Sequence, residues 1–96
     1  MLLKLADLEA IRDGRIRLVF RRWSRPTVKA GGTLKTRIGM LKIGKITDMD
    51  PADVTDADAR KAGFPDRADF DRWLLTMKPG HLFQRIEVSY HGPVEE

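Results

Sequence analysis

The feature that most limits how this chain folds is the period of its apolar residues, which changes three times along 96 positions. Leu5, Leu8 and Ile11 recur at helical spacing, and Asp13-Gly14 supplies a left-handed stop, so a first helix is expected to run to about Asp13. From Arg15 to Phe20 the period is two. Ile16, Leu18 and Phe20 then share one face of a strand, while Arg15, Arg17, Val19 and Arg21 share the other, which predicts an apolar side and a cationic side. The stretch from Ser24 to Gly32 reads as a loop, because Pro26 fixes φ and Gly31-Gly32 permits turns closed to other residues. Thr33 to Ile38 and Met40 to Thr47 read as two more strands joined by a tight turn at Gly39. Gly44 breaks the alternation of the second of these, which predicts a bulge or sharp bend.

The helical period then returns. Thr55 is a predicted N-cap with Asp56 and Asp58 in the first turn, where the helix dipole favours negative charge, and Gly63 is the predicted stop. Asp66 caps a second helix whose stripe of Phe70, Trp73, Leu74 and Met77 should pack on the sheet, with Pro79-Gly80 ending it. Leu82 to Tyr90 forms a last strand with Ile86, Val88 and Tyr90 opposite Arg85, Glu87 and Ser89, and the tail from Gly92 to Glu96 should fray. This order predicts an α+β fold and a single domain over residues 1–96. A small curled or closed mixed sheet fits it better than a parallel doubly wound one, which needs regular alternation of strand and helix.

A chain of this length should bury roughly two-thirds of its unfolded surface, enough for one core. It contains no cysteine, which excludes a disulfide framework, thiolate metal sites and a thiol nucleophile, and fits a reducing compartment. The apolar start from Met1 to Leu5 is too short for a signal-peptide core or a membrane span, so a cytoplasmic protein with no membrane association is expected. The formal net charge of +4 hides a polarity along the chain: residues 1–45 carry 12 Lys+Arg against 3 Asp+Glu, and residues 46–96 carry 6 against 11. Such segregation can give one molecule an attractive and a repulsive face for a polyanion, unless the halves interleave and neutralise each other.

The basic run is the strongest functional signal. Arg17, Arg21, Arg22, Arg25 and Lys29, extended by Lys35 and Arg37, could hold phosphates on a strand and its adjoining loop, and Trp23 among them offers a face on which a base can stack. These eight residues form the expected nucleic-acid-binding set. The competing reading is a solvated strand face with Trp23 folded into the core. Trp73 lies on an apolar helical stripe and is assigned to the core. His81 and His91 are isolated, and helix capping accounts for most of Asp48, Asp50, Asp53, Asp56 and Asp58, which lack the glycine and closing glutamate of a calcium loop. No metal and no cofactor is expected. Gly31-Gly32 is not followed by the Gly-Lys-Ser/Thr of a phosphate-binding loop.

Gly14-Arg15 entering a strand, the exit Phe20-Arg21-Arg22-Trp23-Ser24-Arg25-Pro26, the Lys29-Ala30-Gly31-Gly32 turn, the stretch from Ile46 through Val54 to Phe64, and the closing Phe83 to Val88 strand together resemble an ASCH-domain protein. The likeness runs from about residue 8 to residue 90. It implies a PUA-like mixed β-barrel of about five strands flanked by helices beside a cleft, and it implies nucleic-acid binding, most often of RNA. Some ASCH proteins are amidohydrolases on acylated cytidine nucleosides, using a lysine and a threonine on the first strand and a glutamate in the helical region. Those positions fall here on Ile16, Val19 and near Ala62, which lack an ammonium, a hydroxyl and a carboxylate, and the strand from Arg15 to Arg22 contains no Lys, Ser or Thr. Their catalytic role is therefore not carried over. The expectation is a module binding RNA or single-stranded DNA as a monomer or weak dimer. Its rival is a hydrolase, either such an amidohydrolase or a weak ribonuclease, on the resemblance alone.

Overall fold

The computed structural model describes residues 3–77 and 80–93. Pro79, the expected stop of the helix that Asp66 caps, and residues 94–96 of the tail expected to fray lie outside them, but that helix already ends at Leu74 and Gly92 belongs to the last strand. In chain order the elements are α1 (Leu5–Arg12), β1 (Leu18–Trp23), β2 (Thr33–Thr36), β3 (Gly39–Asp48), a 3-10 turn (Pro51–Asp53), α2 (Asp56–Lys61), α3 (Arg67–Leu74) and β4 (Leu82–Gly92). The α+β class is as expected.

Asp13 closes α1 and Gly14 adopts a φ of +79°. The next two amides remain bound to the helix, since Arg15 N and Ile16 N both donate to Ala10 O at 2.9 and 3.2 Å. Arg17 N donates to Lys61 O at 2.7 Å. With these donors spent elsewhere, β1 begins at Leu18 rather than at Arg15. Gly44 does mark a bulge: the register of β3 on β4 shifts between Ile43 and Ile46.

The four strands form one antiparallel sheet in the order β1-β4-β3-β2, curled into a half-barrel. This corrects the expectation of a mixed barrel of about five strands. The last strand inserts between β1 and β3, every neighbour is antiparallel, and β1 and β2 are left at opposite edges with no fifth strand among the described residues to join them.

Both faces of the sheet are covered where β1 meets β4. Val19 pairs with Ile86, and both belong to a core that includes Leu8 and Ile11 of α1. Phe20 points the other way into a second core with Phe83, Phe70 of α3, Val54 and Ala59. Phe20 stacks on Phe83 at 5.6 Å between centroids and meets the edge of Phe70 at 5.2 Å. The expected cationic face of β1 is thus interrupted, because Val19 is only 6% exposed beneath α1.

The acidic half folds as its caps predict. Thr55 accepts from Asp58 N at 3.1 Å, Asp66 accepts from Asp69 N at 2.9 Å, and Gly63 follows α2 with a φ of +95°. Arg67 fastens this half to itself by donating to the carbonyls of Pro51 and Val54 and to Asp71 Oδ1, while its own amide donates to Asp56 Oδ1. Phe70, fully buried against Phe20 and Phe83 of the strands, is what binds α3 to the sheet. Phe70→Ala is expected to lower unfolding stability by about 3–5 kcal/mol in urea denaturation. A loss under about 1 kcal/mol would show that α3 is held by something else.

Candidate functional site

Because α1 covers one face of β1 and the α2–α3 pair covers the other, the outer edge of β1 lies at the bottom of a cleft. Its volume is about 800 Å³. Val19 to Trp23 form the floor, Lys4 and Asp7 line it from α1 and the turn before it, and Phe64, Trp73 and Met77 line it from the helical half.

Arg21 and Arg22 both line this cleft, yet successive strand residues point to opposite faces. Arg21 lies on the α1 side and donates to Phe20 O at 2.7 Å. Burial lowers its pKa, and the Asp7 carboxylate works in the opposite sense by favouring the charged form. Arginine titrates so far above neutrality that the guanidinium stays a cation in this partly desolvated setting. Arg22 lies on the α3 side with its guanidinium carbon 6.0 Å from the Phe83 ring centroid.

Trp23 is fixed by a chain of side-chain hydrogen bonds crossing three strands. Its Nε1 donates to Gln84 Oε1 at 2.7 Å, and Gln84 Nε2 donates to Asp48 Oδ1 at 2.7 Å. Gln84, 8% exposed, is satisfied at both ends of its amide. The segment entering β4 crosses the backbone of Trp23 so closely that a Cβ on Gly80 would lie 2.7 to 2.8 Å from its main-chain N, Cα and C. Trp23 is half-buried against the α1-side core and also lines the cleft.

The remaining expected residues are dispersed. Arg25 and Lys29 are exposed on the loop after β1, whose Thr27 lines the cleft and whose Val28 is anchored in the core. Lys35 and Arg37 are exposed on β2 and the following turn, three strand spacings or about 14 Å across the sheet from β1. Arg17 lies in a separate depression.

Several further cleft residues escaped the sequence reading, among them Lys4, Asp7, Phe64 and Trp73. Trp73 packs against Phe64 and Phe70 at 5.2 and 5.9 Å, as a core residue would, but it is only partly buried and lines the cleft. Lys4 and Asp7 precede Leu8 and Ile11 at helical spacing, so a helix that buries the latter pair on the sheet turns the former towards the β1 edge. That spacing was the available signal for them. Phe64 carried none, since it follows the Gly63 stop in irregular chain.

Among the described residues no group of three His, Asp or Glu side chains could hold a metal ion, and no helix is long and apolar enough to cross a membrane. If the Gln84 amide positions Trp23, Gln84→Leu should lower stability by about 1–3 kcal/mol by leaving the half-buried indole N–H without its acceptor, while the exposed Asp48 carboxylate turns to water, and should shift the Trp23 emission. Unchanged stability and emission would mean that the indole is held by packing alone. No protein-family model, no curated protein and no solved structure matches the chain, so its function is argued from this geometry.

Proposed function

We propose that this chain is a nucleic-acid-binding module that takes single-stranded RNA in the cleft at the edge of β1. The observation that carries this reading is the gathering of Lys4, Arg21 and Arg22 with Trp23, Phe64 and Trp73 in one recess. Cations alone would suit any polyanion, and aromatic rings alone would suit any apolar ligand. Together they match a strand whose phosphates alternate with flat, stackable bases.

In this reading Arg22 and Lys4 take phosphates, while a splayed base lies against Trp73 and Met77. Arg21, already donating to a backbone carbonyl, contributes field at short range. The Asp7 carboxylate can accept from a base amino group, which sets a preference among bases but weakens phosphate binding near it. Bases must leave a stack to enter such a recess, which favours a single strand over a duplex. The ASCH resemblance, a cytoplasmic location and a monomeric or weakly dimeric state belong to the same proposal. They are supported by the motif order, the absence of cysteine and the size of the chain.

The test is the affinity of the wild type, Arg22→Glu and Lys4→Glu for short single-stranded RNA, single-stranded DNA and duplex DNA at two salt concentrations. Binding to single strands should weaken with salt, and each reversal should weaken it at least about tenfold, or 1.4 kcal/mol. Single-strand affinity unchanged in both folded variants would overturn the proposal.

A further inference from the structure

A second basic depression adjoins the cleft, and Ile16 lines both. Its volume is about 570 Å³, and it lies between the end of α1, the entry to β1 and the bulge at Gly44. Arg12, Arg17 and Lys42 contribute cations to it, and Ser89 contributes a hydroxyl. Arg12 is engaged with Asp13 at 3.9 Å, whereas neither Arg17 nor Lys42 forms an ion pair with any described residue. Among the described residues the one carboxylate lining it, Glu87, is answered by Arg85 at 3.6 Å.

We propose that this depression is a phosphate-binding extension of the cleft, which carries the backbone of the same RNA strand past Ile16 onto Arg17 and Lys42. The inference rests on the cleft's taking RNA. Its only aromatic lining residue, Tyr90, has its hydroxyl committed to Ile38 O at 3.0 Å, so the chemistry on offer is cationic and hydroxylic rather than stacking. That composition suits phosphodiester groups and not bases. Arg17 lies four residues before Arg21 along an extended chain, roughly 13 Å away, so one strand must be longer than a nucleotide to engage both. Gly44 lines the depression at the bulge, and a Cβ there would lie 3.1 Å from Glu87 Cβ.

The test compares a trinucleotide with an RNA of about nine nucleotides, on the wild type and on the Arg17→Ala/Lys42→Ala double variant, across a salt series. Both residues are exposed, so the variant should fold. The longer RNA should bind the wild type at least about tenfold more tightly than the trinucleotide. In the variant that advantage should vanish and the slope of log K against log salt should shrink by about 1.4, two phosphates' worth, with trinucleotide affinity unchanged. If the longer RNA keeps its affinity and slope in the variant while the trinucleotide still binds, the extension is overturned and the cleft reading survives. An equal loss for both lengths would overturn it too, by showing a general charge effect. Failure of the wild type to bind either RNA would overturn the extension together with the cleft reading.

Discussion

Val19 and Phe20 are adjacent in β1 and buried on opposite faces of the sheet, and this pair of burials determines where everything else can go. Val19 requires an apolar layer on one side, which α1 supplies through Leu8 and Ile11. Phe20 requires one on the other side, which α3 supplies through Phe70. A strand clamped between two layers at the edge of a sheet leaves a recess along its outer edge. Continuing the same strand by three residues places Arg21, Arg22 and Trp23 there.

The charge pattern takes its meaning from this arrangement. Much of the acid in the second half is consumed locally, with Asp50, Asp56, Asp66 and Asp71 accepting from backbone amides or from Arg67, and Asp58 meeting Arg85 at 3.5 Å. Those carboxylates serve caps and ties within the helical half, apart from Asp58, which ties α2 to β4. The cations of the first half are mostly not spent in this way, since Arg17, Arg25, Lys29, Lys35, Arg37 and Lys42 are exposed. Exposed ion pairs contribute little to stability, so a surface of this sign has more consequence for polyanion binding than for folding.

What could be read from the sequence was local. The caps at Thr55 and Asp66, the stop at Gly63, the bulge at Gly44 and the alternation of Ile86, Val88 and Tyr90 each depend on a few neighbouring residues. The ends of elements were misread locally, as at the start of β1, but the misreadings that matter for the cleft were of long range. Alternation from Arg15 to Phe20 looks the same whether one face or both are covered, and only the arrival of α1 decides that Val19 is buried. Closure of the barrel depends on where β4 inserts, which no single segment records. The cleft draws its lining from three stretches of chain, residues 3–7, 16–27 and 62–77, so the sequence showed its central strand but not its walls.

The most direct test of the account is to follow the two indole N–H resonances of the protein while short single-stranded RNA is added. Trp23 and Trp73 line the same cleft from opposite elements, one fixed to Gln84 and one packed on Phe64. The account predicts that both signals move together, saturate, and return when salt is raised. Saturable RNA binding that leaves both indoles unmoved would contradict it, because the strand would then be held somewhere other than the cleft.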